Sequence, residues 1–380
     1  MKGRSVCRWV LSLVICLVVM GEGGGIAAFA AEPPKLPAAY KSVDELYAAL
    51  AKLPEAQRQE AILKGAQKEG TVNVYEASNE DQIGALIKDF TQRNPGVKVD
   101  LFRTLADEVA QKMLTEVRAG RWLWDVGNAG PGYLDLKKEK ALAAHYGLVA
   151  RTGYPKYALG TDWFGVETLP LIIAYNTSQV KATEAPKSYK DLLDPKWKGK
   201  ASIDASPDNL IASMIKAWGK EKTDDWMNKF VNVNQALIRK GHTVQTKLLI
   251  AGEFPVASEI YAYAVENMIK TQGAPADWVI PQDLLEADIP GQIIAKHAAH
   301  PYGALLWAQY RTSREGQNVY AKFGRIGVRP DVDMQYPRMK QLITGPALDH
   351  LSLLTVEDGK YFDQASELIN KYIAPRLRAK

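Results

Sequence analysis

Cysteine is almost missing: the 380-residue chain has two, Cys7 and Cys16, both within the first twenty positions. Everything after Cys16 is therefore barred from disulfide stapling, thiolate catalysis and cysteine-held zinc or iron–sulfur centres, and owes its stability to packing. Long hydrophobic runs are scarce as well. The run from Trp9 to Met20 falls short of the ~20 residues that span a bilayer, and Glu22 with Gly23, Gly24 and Gly25 ends it, so no membrane insertion is expected. Charge of one sign is lacking too: 48 Lys and Arg stand against 43 Asp and Glu, a net charge of +5. The richest basic run, Lys196, Lys198 and Lys200 around Trp197, alternates with other residues as a solvated turn does, so a nucleic-acid partner is not expected. Catalytic signatures are absent. There is no G-x-S-x-G elbow, no H-E-x-x-H, no G-x-x-x-x-G-K-S/T loop and no G-x-G-x-x-G after a strand, so neither an enzyme nor a cofactor is expected.

What is present is ordinary globular composition, 47% hydrophobic and 24% charged, long enough for two to three lobes at about 150 residues each. Lys2, Arg4 and Arg8 precede the early apolar run, and Ala28-Phe29-Ala30 follows it, the layout of a secretory signal peptide over residues 1–30 with cleavage before Ala31. Val6 and Ile15 precede the two cysteines, which excludes the small residue of a lipoprotein site. The expected mature chain is exported, periplasmic and free of cysteine, and carries +3 once the +2 of Lys2, Arg4, Arg8 and Glu22 is removed. Of five histidines, only His297 and His300 have ligand-like spacing, and they read as a solvated approach to the helix opened by Pro301 rather than as a metal site. Asp224 and Asp225 read as charge placed against a helix start.

Residues 31–65 read as an extended leader followed by two helices, the first announced by Ser42 with Glu45 three positions on, the second opening at Pro54 and closing at Gly70. The pair is expected on the outside of the first lobe. From Thr71 onward, short apolar strands (Val72 to Tyr75, Val97 to Leu101, Val126) alternate with amphipathic helices carrying Ile83, Leu86, Ile87 and Phe90, then Val109, Met113, Leu114 and Val117. That alternation predicts an α/β lobe with a largely parallel sheet. The apolar segment 163–176 reads as a crossover, and a second α/β pattern follows. It has strands at Ala201 to Ile203 and Val256 to Ala257, and helices at Leu210 to Trp218, Asp224 to Val231 and Tyr261 to Thr271. A strand at Gly291 to Ala295 and a helix at Pro301 to Thr312 close the pattern, with lobe one expected over 66–168 plus 286–335 and lobe two over 169–285 plus 336–380.

Ligands of open α/β sheets bind beyond the carboxyl ends of the strands, so polar helix starts after strands are the candidates. Three occur. Ser78 is read as an N-cap with Asp81 in capping-box position and Asn79 beside it; Asn128, Ala129, Gly130 and Pro131 let a ligand approach backbone N–H groups; Ser206 is read as an N-cap with Pro207 at the first helical position and Asp208 next. Arg103, at a strand end, is a candidate counter-charge. Glu259, Tyr261 and Tyr263 follow the short strand at Val256, where one tyrosine either packs into the core or closes on a ligand.

The segments EGTVNVYEASNEDQIGALIKDFTQRNPGVKVDLFR, APKSYKDLLDPKWKGK and SREGQNVYAKFGRIGVRPDVD, spread over about residues 66 to 335, resemble the periplasmic solute-binding proteins of ABC importers, in the branch that includes the ferric-iron-binding proteins. The resemblance implies a two-lobed periplasmic-binding-protein type II fold with hinge strands and a central ligand cleft, a monomer, and delivery to an inner-membrane ABC permease. Carried over to this chain, the iron branch's histidine position falls on Asn79, its carboxylate position on Gly130 or Pro131, and its tyrosine pair on Tyr263 and Ala264. One hard oxygen donor of four remains, which argues against direct iron binding. The branch's anion-holding helix start matches Ser206, and further polar positions fall on His242 and Tyr261.

The expected function is therefore capture of a small polar organic solute, anionic by the helix starts. Ser78, Asn79, Ala129 and Gly130 would act from one lobe, and Ser206, Asp208, His242 and Tyr261 from the other. Asp208 and Glu259 cut against an anion and admit a cationic ligand. Alternatives are a ferric-iron carrier, a sensory binding protein for a membrane receptor, and an enzyme on this fold with His242 as its acid or base.

Overall fold

The computed structural model describes residues 40–378. The expected signal peptide, its cleavage point and the leader up to 39 lie outside the described residues.

The chain begins with α1 (Val43–Ala51) and α2 (Glu55–Glu69). Ser42 accepts from the Glu45 N–H at 3.1 Å, as the sequence spacing predicts, and the Glu45 carboxylate accepts from the Lys41 N–H at 2.8 Å. Gly70 ends α2 in the left-handed region, φ 75°, where a side chain would be strained. The pair packs on the first lobe with one face in its core. Val43, Leu46, Tyr47, Leu50, Ile62 and Ala66 are buried in the first lobe's core, and the Tyr47 hydroxyl donates to the Pro301 carbonyl at 2.7 Å.

The first sheet then builds as expected. β1 (Thr71–Glu76), α3 (Glu80–Arg93), β2 (Lys98–Arg103), α4 (Ala106–Arg118) and β3 (Val126–Asn128) alternate, with β1 parallel to both β2 and β3. Ile83, Leu86 and Phe90 recur every three or four residues and bring one face of α3 fully into the core. After α5 (Tyr133–Lys138), β4 (Phe164–Gly165) runs directly into the ten-residue β5 (Glu167–Asn176).

β5 belongs to the second sheet, together with β6 (Ala201–Asp204), α6 (Asp208–Trp218), α7 (Lys220–Met227), β7 (Leu237–Arg239), α8 (His242–Ile250), β8 (Val256–Tyr261), α9 (Ala262–Gln272) and β9 (Ala276–Val279). Two readings need correction here. Asp224 and Asp225 do not lie at a helix start but in the latter half of α7, where Asp224 accepts from Lys371 and Tyr372 and Asp225 pairs with Lys229; the helix then widens into a π turn at Asn228–Val233. The strand expected at Val256 to Ala257 runs on to Tyr261, because Ile260 and Tyr261 continue pairing antiparallel to Ile172 and Leu171.

β10 (Leu285–Ile289) stays in the second sheet, antiparallel to β5, and β11 (Gly291–Ile294) returns to the first, antiparallel to β3 and β4. The chain thus crosses between sheets at Val166 and again at Pro290, rather than at the expected 285/286. A third crossing follows α10 (Pro301–Thr312) and α11 (Arg314–Ala321): β12 (Ile326–Gly327) pairs with the start of β5 before β13 (Leu351–Thr355) and α12 (Gly359–Tyr372) finish the second lobe. The strand orders are β2-β1-β3-β11-β4 and β13-β10-β5-β8-β6-β7. One core surrounds the first sheet; two cover the faces of the second, one around Ile203, Leu210 and Trp226, the other around Ile172, Phe254 and Ile260. Two α/β lobes linked by adjacent crossing strands can swing about those strands.

Candidate functional site

A cavity of about 770 Å³ opens between the two sheets, beyond the carboxyl ends of β1, β3, β6 and β8. Its first-lobe wall includes Ser78, Asn79, Asn128 and Gly130; its second-lobe wall includes Asp204, Ser206, Asp208, His242, Glu259, Tyr261 and Tyr263; the crossing strands add Glu167, Asp288 and Arg325. Nine of the eleven sequence candidates thus converge on one space, and two do not. Arg103 is exposed and off the lining, its Nε donating to the Ser78 carbonyl at 2.6 Å. Ala129 is fully buried, and its N–H, expected to meet a ligand, donates to the Gly291 carbonyl at 2.9 Å.

Two capping assignments also change. Asn79, not Ser78, precedes α3, and Asp81 accepts from the adjacent Gln82 N–H at 2.9 Å instead of reaching back. The Ser78 hydroxyl turns inward, bonded to Glu76 at 3.2 Å and to the Tyr320 hydroxyl. Ser206 does not cap α6; Pro207 occupies that position, and the Ser206 N–H donates to Asp204 Oδ1 at 2.9 Å. In each case a nearby carboxylate accepts from the serine, from its hydroxyl at Ser78 and from its backbone N–H at Ser206. The histidine pair separates as well: His300 Nδ1 meets Asp125 Oδ2 at 2.8 Å, whereas the His297 ring sits 4.7 Å from that of Trp122.

The two walls differ in electrostatics. On the first-lobe side, Glu76 is completely buried at the end of β1 and fully engaged: Oε1 accepts from the Ala77 N–H at 2.9 Å and Asn128 at 3.2 Å, and Oε2 from Arg311 at 3.0 Å. Burial opposes its charge, but the Arg311 guanidinium and these donors hold its carboxyl below the usual range. Glu76 itself is satisfied, although Arg311 Nη2 and Gln292 Oε1 beside it have no hydrogen-bond partner.

The second-lobe side is open. Asp204 is 4% exposed and Glu259 not at all; Glu259 Oε1 accepts from the Asp204 N–H at 2.8 Å, yet Glu259 Oε2, Asp204 Oδ2 and Asp288 Oδ1 are buried without a hydrogen-bond partner. Burial raises the Glu259 carboxyl, with Asp204 adding repulsion, and burial with the Glu167 charge raises Asp288 to about 7. Glu286, behind them on β10, is pushed well up by burial and then by Asp288 and Glu259. His242, at the start of α8, stands between the carboxylates, Nδ1 4.0 Å from Asp204 and Nε2 3.9 Å from Glu259. Burial works against its charge, but Glu259, Asp204 and Asp288 outweigh that and raise the imidazole above its ordinary value. The His242 ring lies 4.6 Å from Tyr261, which stacks at 5.8 Å on Tyr263, and the Arg325 guanidinium covers Tyr263 at 4.1 Å while pairing with Glu167.

Seven carboxylates line the cavity, Asp135, Glu167, Asp204, Asp208, Glu259, Asp288 and Asp363, against Lys138, Arg325 and His242. Lys138 and Arg325 are already paired, with Asp135 and Glu167. Sequence reasoning missed Asp204, Glu167, Asp288 and Arg325. The available signal was a charged residue inside or beside an otherwise apolar strand, as in Ala-Ser-Ile-Asp and Leu-Glu-Ala-Asp-Ile, since a buried strand carries a charge only for a purpose or a partner.

Two α/β lobes, adjacent crossing strands and a polar cleft between sheets define a bilobal solute-binding protein. The chain belongs to the bacterial extracellular solute-binding protein family, which it matches over residues 85–347. It is 26% identical over 286 residues to iron uptake protein A1 of Synechocystis sp., covering 68% of this chain and 75% of that protein. Iron-bound HitA from Pseudomonas aeruginosa shares the fold at a TM-score of 0.66 with 20% identity, covering 80% of this chain and 99% of that one. The periplasmic binding protein AfuA from Actinobacillus pleuropneumoniae, solved with fructose 6-phosphate, shares it at 0.63 with 21% identity, covering 80% and 98%. The family's members bind small solutes for ABC import, and this chain is such a receptor. Among the described residues no helix is long and apolar enough to cross a membrane.

Proposed function

We propose that the cleft captures a solute bearing positive charge and, with its lobes closed over it, presents that solute in the periplasm to an inner-membrane ABC permease. One observation carries the reading: acidic side chains outnumber basic ones on the cavity lining, and the nearest cationic neighbour of both Asp204 and Glu259 there is the one His242 imidazole, at 4.0 and 3.9 Å. Buried negative charge in excess of its cationic partners is costly, and a bound cation is the direct way to offset it. The surplus of acid on the lining counts against the anionic solute expected from the helix starts.

Ferric iron is the first cation to test, because a relative named for iron uptake and an iron-bound structural neighbour share this architecture. Tyr263 keeps the one hard oxygen donor of the iron branch, and Asp204 and Glu259 stand on the same cavity. A second reading, a phosphorylated polyol as in the AfuA structure, is favoured by the cavity's size, about 770 Å³, which suits an organic molecule and whose carboxylates hydroxyl groups can also satisfy. A sensory receptor or an enzyme would use the same cleft; His242, paired between two carboxylates, is then the group to replace.

The test is a thermal-shift and calorimetric panel of ferric citrate, primary amines and fructose 6-phosphate. A ligand held only by the folded state adds about 4 kcal/mol at a thousandfold excess over its dissociation constant. Stabilisation by cations is the expected result, and stabilisation by fructose 6-phosphate alone overturns the reading.

A further inference from the structure

The contacts of Arg325 run from one wall of the cleft to the other. It stands just before β12, where the chain makes its third crossing between the lobes, and its Nε donates to Glu167 Oε2 at 2.7 Å while Nη2 meets the same carboxylate. Glu167 opens β5, directly after the first crossing, so the pair ties two of the crossing segments together. Both side chains are buried. Breaking such a pair leaves a charge without its partner in the interior, so a swing of the lobes is expected to keep it and to change a weaker contact.

Beyond Glu167, the neighbours of Arg325 belong to both lobes. Its guanidinium carbon is 4.1 Å from the ring centre of Tyr263, at the start of α9 in lobe two, and 5.4 Å from that of Tyr320, near the end of α11 in lobe one. Both distances lie within the ~6 Å over which a ring face attracts a cation. The Tyr320 hydroxyl in turn bonds to the Ser78 hydroxyl at the first-lobe wall. A chain of contacts, Ser78 to Tyr320 to Arg325 to Tyr263, thus bridges the cleft at its pivot, and Ser78, Arg325 and Tyr263 all line the cavity.

We infer that Arg325 is a positioning residue for solute capture: anchored on Glu167 and in reach of Tyr320 from lobe one, its guanidinium holds the ring face of Tyr263 and so favours one angle between the lobes. Swinging lobe two away slides Tyr263 off the cation, whereas the ion pair at the pivot stays intact. The share of free protein at the binding-competent angle divides the intrinsic dissociation constant, so a contact that sets this share tunes affinity whatever the charge of the solute.

The experiment reads the lobe angle in the ligand-free protein. The chain has no cysteine after Cys16, so Lys88→Cys and Lys222→Cys, exposed on α3 of lobe one and α7 of lobe two, place one spin label on each lobe of the secreted protein, and pulsed electron paramagnetic resonance measures the distances between them. Tyr263→Leu removes the ring and leaves Arg325 on Glu167; it is expected to move the balance between the wild-type distance and a second one by roughly tenfold. Tyr263→Phe keeps the ring face and is expected to keep the wild-type distribution. Should the leucine variant fail to fold, Arg325→Lys gives the same reading, since a lone ammonium keeps Glu167 compensated but cannot cover the ring at the same time. A role confined to packing lowers the melting temperature of Tyr263→Leu and leaves its distances unmoved, and that result overturns the inference. So does a Tyr263→Phe distribution shifted as far as that of Tyr263→Leu.

Discussion

Asp288 offers the sharpest test of the electrostatics that define the cleft. It lies near the end of β10, its Oδ1 lacks a hydrogen-bond donor, and burial with the Glu167 charge raises its carboxyl from 3.8 to about 7. A carboxyl whose folded value exceeds its unfolded value binds its proton more tightly when folded, so its contribution is fully present below about pH 4 and is lost as pH rises through about 7. At about 1.4 kcal/mol per unit, a shift of this size bounds the loss at about 4 kcal/mol, and sharing of protons with Glu286 reduces it. Asp288→Asn cannot ionise. It is expected to leave stability unchanged near pH 4 and to raise it by about 1 to 4 kcal/mol at pH 8, read as a higher urea midpoint with an unchanged m value. A variant no more stable than wild type at pH 8, with the same pH slope, would refute the claim that unneutralised acid strains this floor. Ligand binding gives a further check, because a cation that supplies the missing charge should stabilise the wild type more at pH 8 than at pH 4.

Other expectations follow from the first lobe. Phe90 is fully buried with its ring 5.1 Å from Trp307 at a steep angle, so Phe90→Ala should cost about 3–5 kcal/mol in equilibrium unfolding while leaving the second-lobe carboxylates untouched. The hydrogen bond to Asp125 raises the His300 imidazole, with burial opposing; by NMR titration it should ionise above its ordinary 6.5, and Asp125→Asn should bring it back down. Because that pair stabilises the charged imidazole, its contribution is full below about pH 6.5 and fades as pH rises through the raised folded value. Glu69, raised to about 7 by burial against the start of α10, should add a loss in the same direction between pH 4.5 and 7. A melting temperature that climbs with pH across this range in the ligand-free protein would contradict both assignments.

Several elements were legible in order. The apolar residues of α3, α4 and β1 recur at the periods their geometry demands, and Ser42 with Glu45, Gly70 and Pro301 mark helix ends that the structure keeps. Nine of the eleven site candidates lie on the cleft because ligand sites follow strand ends, which apolar runs reveal. What was misread involved competition among polar groups. Ser78 and Ser206 looked like caps, but Glu76 and Asp204, two residues before them, accept from the Ser78 hydroxyl and the Ser206 N–H instead.

The sequence by itself determined the alternation of strands and helices, the absence of covalent staples after Cys16, the family and the choice of strand ends as the place for a ligand. Those are local properties, set by hydrophobic period, turn chemistry and residue type. Only the tertiary structure decided the sign of the cleft. Asp204, Glu259 and Asp288 come from three strands far apart in the chain, and nothing in their spacing says that they meet. Brought together and buried around His242, they give the cleft an acidic side that none of them shows separately.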